Sequence, residues 1–142
     1  MLCAGIATYS PIKQAEVCEG DVVGVLGLGG LGTMAVKYLK ALGCNVIAFD
    51  NKDKEDYAKS LDVSFVNMKD GIDDSLYKKF DFVISTIPYT YDLNDYLPIM
   101  KYNSTFAIVG LPPFEECPSL SIKEMILNYP GVKIMGSYIG GI

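Results

Sequence analysis

Residues Val22–Gly32 read VVGVLGLGGLG, a run of small apolar residues that breaks into Gly27-Leu28-Gly29-Gly30-Leu31-Gly32. A second apolar run, Val46-Ile47-Ala48-Phe49, closes on Asp50. The pattern predicts a strand, a glycine turn, a helix and a second strand tipped with a carboxylate. The glycine spacing alone carries little information. With a strand before it, a helix after it and an acid 18 residues beyond the last glycine, the parts of a dinucleotide-binding turn occur in order.

Each residue type answers a physical need. Gly27 lets the backbone turn sharply out of the strand. Gly29 lets the main chain approach a pyrophosphate, and Gly32 lets the helix pack close to the strands. Gly30 and Leu31 open that helix, whose free amides and positive dipole end face the phosphates. The spacing predicts a helix over residues 30–42, with Met34, Ala35, Tyr38, Leu39 and Leu42 as its buried stripe. Gly43 follows as its C-terminal stop. Asp50 is expected to accept hydrogen bonds from the adenine ribose hydroxyls. A 2′-phosphate would meet its negative charge, so NAD is favoured over NADP. No arginine is available to reverse that preference, because all twelve basic residues are lysine. Lys54, or Lys52, either contacts ribose or phosphate or belongs to a solvated first turn in Asn51-Lys52-Asp53-Lys54-Glu55.

The 142 residues are half hydrophobic and one-fifth charged, as in an ordinary globular domain. A net charge of −5 argues against a nucleic-acid partner. No apolar run approaches the roughly 18 residues of a membrane span, so no membrane partner is expected. Met1-Leu2-Cys3-Ala4-Gly5 lacks a basic region followed by an apolar core, and no secretion signal is expected. Cys3, Cys18, Cys44 and Cys117 are scattered and form no CxxC pair; with no histidine, a self-contained structural zinc site is not expected. Reduced thiols in a cytoplasmic protein are the expectation, with Cys44 in the core. The absence of histidine also removes any histidine-based triad. The carboxylates Asp73, Asp74, Asp92, Asp95, Glu115, Glu116 and Glu124 read as solvated groups or partners of helix dipoles. No catalytic residue is visible within this chain.

Strands are predicted at 22–27, 45–50, 64–67, 80–86, 104–110 and 132–138. Helices are predicted at 30–42, 53–61, 92–101 and 121–128, with a weak one at 72–78 and a short one at 11–14. Such alternation implies an α/β, doubly wound parallel sheet of the Rossmann type, six strands in the order 3-2-1-4-5-6. Residues 1–20 read as a lead-in and 21–142 as the single domain. The ligand crevice is expected at the carboxyl ends of the strands, bringing Thr86, Val109, Gly110, Leu111 and Tyr138-Ile139 beside the glycine turn. Thr86 either bonds the cofactor or caps a loop.

The decapeptide Leu2–Pro11, the GLGGLG motif and Met34-Ala35-Val36-Lys37 resemble the zinc-dependent medium-chain alcohol dehydrogenases, in particular the cinnamyl-alcohol dehydrogenase branch. The resemblance continues through Phe80–Ile84, Asp92–Leu97, Val109–Pro112 and Gly136–Gly141 and covers essentially the whole chain. It implies that this chain is the coenzyme-binding domain, while the catalytic domain is built from sequence on either side. Cys3 matches the cysteine that supplies one catalytic-zinc ligand, here an orphan ligand, since a catalytic zinc needs three protein ligands. Zinc therefore belongs to the full-length enzyme, where it would act as a Lewis acid on a small alcohol or aldehyde substrate. Val109, Leu111, Ser137 and Ile139 match positions that hold the nicotinamide. Leu120-Ser121-Ile122 and strand 132–138 match regions of sheet-extending dimerisation, implying a homodimer. Three departures stand out. Asp50 replaces a small hydroxyl residue, Thr33 replaces a histidine after the glycine motif, and Asp62 replaces a glycine at a helix end. The expectation is a chain that binds dinucleotide and does not turn over alcohol by itself. Two alternatives remain open: an S-adenosylmethionine-dependent methyltransferase, and a non-catalytic, self-associating Rossmann module.

Overall fold

The computed structural model describes residues 9–72, 74–87, 95–109, 123, 126–127 and 131–136. Six strands form one parallel sheet: β1 (Val22–Leu26), β2 (Asn45–Asp50), β3 (Ser64–Asn67), β4 (Phe80–Ser85), β5 (Met100–Ile108) and β6 (Lys133–Gly136). Their order is β3-β2-β1-β4-β5-β6, so the expected topology holds, with its switch point between β1 and β4. Helix α1 spans Gly30–Ala41 and α2 spans Glu55–Ser60, the latter entered through a 3-10 turn at Lys52–Lys54.

β1 is apolar throughout because it is covered on both faces, as parallel strands are. Val23, Val25, Val46, Ala48, Phe82 and Ile84 face one layer, against Ala35, Val36 and Leu39 of α1 and Ala58 of α2. Ile12, from a helical stretch at 9–14, packs into that same layer. The opposite face buries Leu26, Phe49, Phe80, Val83 and Phe106 under Leu76, Leu97 and Ile99. Gly24 opens the centre of β1 to three rings and branches of this layer, since a Cβ there would lie 3.1 Å from Phe80, 3.2 Å from Val83 and 3.3 Å from Phe49.

Several local expectations need correction. The buried stripe of α1 is Gly32, Ala35, Val36 and Leu39. Leu42 is 44% exposed, because it is the C-cap residue where the helix leaves the sheet. Helix 92–101 gives way, in its described part, to a 3-10 turn at Leu97–Ile99 and to β5, which starts at Met100. Pro98 removes an amide that a longer helix needs. Met100 pairs with Phe80 and Thr105 with Phe82, so residues 101–104 bulge out of β5. That bulge made the start of the strand unreadable as an apolar run. The weak helix at 72–78 is a single 3-10 turn, Asp74–Leu76. Of helix 121–128, residues 123, 126 and 127 are helical and the remainder lies outside the described residues. Gly43 (φ +85°) ends α1 as expected, and Asp62 (φ +57°) takes the left-handed conformation after α2.

Candidate functional site

The glycine turn leaves β1 at Gly27, whose amide donates to the Phe49 carbonyl at 2.8 Å and whose φ is +91°. The chain then doubles back so tightly that a Cβ on Gly32 would sit 1.7 Å from the Gly27 carbonyl oxygen. Only hydrogen fits there. Gly29 and Gly30 are different, because added Cβ atoms would meet nothing within 4 Å. Two of the motif's glycines therefore face open space in front of α1. The first intrahelical bond runs from Thr33 N to Gly29 O at 2.9 Å. The amides of Gly30 and Leu31 precede that bond at the crevice and are available to an anion, whereas Gly32 is buried.

A crevice of about 430 Å³ lies at this point, lined by Gly27–Leu31, Asp50, Asn51, Asp53, Lys54 and Thr86. Its volume suits a small-molecule site. Asp50, at the tip of β2, is only 8% exposed. Its Oδ2 accepts from Leu28 N at 2.7 Å and its Oδ1 from Asn51 N at 2.6 Å. The carboxylate thus ties the glycine loop to β2, and each oxygen keeps a second lone pair. Thr86 is also buried; its hydroxyl donates to the carbonyls of Leu26 (2.9 Å) and Gly27 (3.1 Å), clamping the start of the turn to the end of β4. The loop-capping role is the one its geometry displays.

Lys54 is half-buried at the start of α2, with its ammonium 5.9 Å from the centroid of the Tyr57 ring. Tyr57 shares a hydrogen bond of 3.0 Å with Thr33, joining α2 to the first turn of α1 beside the crevice. The residue patterns do not show this bridge, since it links positions 24 residues apart. Asn51 and Asp53 read as solvated turn residues, yet both line the crevice. Val109 is held at the end of β4 by its amide, which donates to Ser85 O at 2.8 Å. Cys3, Leu111, Ser137 and Ile139 lie outside the described residues. Among the described residues no three His, Cys, Asp or Glu side chains converge as metal ligands. No helix among them is long and apolar enough to cross a membrane.

A glycine turn at the switch point of a six-stranded parallel sheet, feeding free helix amides and faced by a buried acid, defines a Rossmann-type nucleotide-binding domain. Residues 30–142 match the family model described as zinc-binding dehydrogenase, and the chain belongs to that family. It is 37% identical over 145 residues to the aldehyde reductase YahK of Escherichia coli (strain K12), covering 100% of this chain and 41% of that protein. The CAD of Helicobacter pylori, solved as a complex with NADP(H), aligns with 46% identity and a TM-score of 0.85 over 98% of this chain and 39% of that one. A cinnamyl alcohol dehydrogenase of Sorghum bicolor aligns with 30% identity and a TM-score of 0.82 over 97% of this chain and 39% of its own. The chain thus spans about 40% of the length of these relatives.

Proposed function

We propose that this chain is the coenzyme-binding part of an NAD(P)-dependent alcohol dehydrogenase that interconverts an alcohol with its aldehyde or ketone. The observation that carries this reading is the open space in front of Gly29 and Gly30, bounded by α1 amides and Asp50. The amides of Gly30 and Leu31 would hold the pyrophosphate, with the α1 dipole adding to the attraction and Gly32 giving the helix its close approach. The free lone pairs of Asp50 would accept from the ribose hydroxyls. Lys54 would face the ribose or a phosphate, and Val109, Leu111, Ser137 and Ile139 would surround the nicotinamide. The described residues offer no ligand set for a zinc ion, and the family zinc with Cys3 as one ligand remains an expectation for the longer enzyme. The chain has no histidine through which a proton relay could run, so we read it as binding dinucleotide without turnover.

NAD is the preferred form in this reading, because Asp50 and Asp53 both line the place a 2′-phosphate would enter. The complex of the Helicobacter pylori CAD with NADP(H) makes this a point to measure. Calorimetric titration with NADH and NADPH is the test. We expect NADH to saturate at micromolar concentration and NADPH to bind about tenfold more weakly, a difference of about 1.4 kcal/mol. Failure of both to bind at millimolar concentration overturns the function. Asp50→Ser then isolates the selectivity: NADH weakens by tenfold or more while NADPH does not. An equal loss for both would mean that Asp50 only anchors the loop through Leu28 and Asn51.

A further inference from the structure

The amino end of the sheet, remote from the crevice, brings two thiols together. Pairing of β1 with β2 sets Val22 opposite Asn45 and continues backwards beyond the strands. Asn45 N donates to Asp21 O at 2.8 Å, and Gly20 N donates to Gly43 O at 3.0 Å. Before this point the chain reverses in a turn closed by Asp21 N on Cys18 O (3.2 Å) and Cys18 N on Asp21 Oδ2 (2.9 Å). The turn folds Cys18 back over Cys44. The Cys44 thiol consequently donates to the Cys18 carbonyl at 3.4 Å, so the backbone of one cysteine is in contact with the sulfur of the other. Both cysteines are free thiols. Cys18 is exposed and its thiol rests on Glu16 O at 3.2 Å, a contact that a turn about its Cα–Cβ bond releases. Cys44 is half-buried and also lines a cavity of about 510 Å³ at the amino ends of the strands.

We propose that Cys18 and Cys44 are a redox pair that a low-molecular-weight disulfide, of the class of oxidised glutathione, converts reversibly to an intrachain disulfide. The exposed Cys18 thiolate attacks one sulfur of the small disulfide, forming a mixed disulfide and releasing one small thiolate. Cys44 gives up its proton and attacks the Cys18 sulfur, closing the protein disulfide and releasing the second small thiolate. The two cysteine protons end on the two small thiols. The protein loses two electrons and the small disulfide gains them. Burial, and then the charges of Asp21, Cys18 and Asp81, hold the Cys44 thiol above its ordinary range, so less of it is thiolate at a given pH. The resulting loop would enclose β1, the glycine turn and α1, tying their base while leaving the crevice at the other end of the strands open.

The test is to treat the chain with oxidised glutathione, block remaining thiols and map the peptides by mass spectrometry. A Cys18–Cys44 linked peptide, lighter by two hydrogens than the dithiol and restored by dithiothreitol, is the expected product. The oxidised chain should melt several degrees higher, and its affinity for NADH should be unchanged. Cys44→Ser should trap glutathione on Cys18, and Cys18→Ser should leave Cys44 largely unmodified. Stable separate adducts on both cysteines of the unsubstituted chain, or links only to Cys3 or Cys117, would overturn the pair. The mass readout does not depend on cofactor binding, so its failure is distinct from failure of the proposed function.

Discussion

A methyl group added at Gly32 would collide with the Gly27 carbonyl, whereas the same group at Gly30 would enter open space. The motif therefore contains glycines of two kinds, one demanded by packing and one left free for a ligand. Gly32→Ala should cost about 3 kcal/mol or more in urea denaturation, the scale of a severe core clash. Gly30→Ala should leave stability equal or slightly raised, because alanine favours the helix, while weakening NADH binding several-fold. A Gly30→Ala chain that binds NADH normally would refute the pyrophosphate position. Cys44 supplies a pH signature. Its thiol is raised from an ordinary value of 9.0, so the folded state retains the proton that the unfolded chain loses first. The contribution to stability is complete below pH 9 and is lost as pH rises through the raised value. Cys44→Ala should flatten that alkaline decline in thermal melts. At this scale the sequence was informative, because glycine spacing and a terminal acid follow from chemistry. It did not show that Asp50 would spend part of its hydrogen-bonding capacity on Leu28 and Asn51, since that needs the loop to close.

Elements meet around the crevice through side-chain links among the described residues: the Asp50 tie between β2 and the glycine loop, the Thr86 clamp between β4 and β1, and the Thr33–Tyr57 bridge between α1 and α2. Thr86→Val keeps the shape and removes the clamp, and should cost about 1 kcal/mol of stability. If Thr86 only clamps, NADH affinity should fall modestly and equally for NADPH. A loss restricted to one dinucleotide would instead reveal a direct contact. The continuous apolar runs of β1 and β2 and the long helix α1 were readable from residue patterns, because burial on both faces demands them. The start of β5 was not. After Met100, residues 101–104 break the register at a bulge, and Asn103 adopts φ +63°, so neither alternation nor an apolar run marks them.

At the scale of the whole molecule, β3 and β6 form the edges of the described sheet. β6 pairs with β5 alone among the described strands, leaving backbone groups for a partner strand. We expect the chain to form a dimer by sheet extension through β6, with dissociation on dilution in sedimentation velocity. A strict monomer at high concentration would count against it. The implied contact at Leu120-Ser121-Ile122 lies outside the described residues.

By itself, the sequence determined the fold class of this protein: a parallel, six-stranded sheet of the Rossmann type. It could do so because apolar periodicity, glycine freedom and the order of strand, turn, helix and acid are local properties of the chain. Only the tertiary structure decided what the local groups meet. It placed a Gly32 hydrogen against the Gly27 carbonyl, gave Asp50 two amide partners, joined Thr33 to Tyr57 and laid Cys44 on Cys18. Most of these contacts join residues more than twenty positions apart, whose encounter depends on sheet register and helix docking rather than on any pattern along the chain.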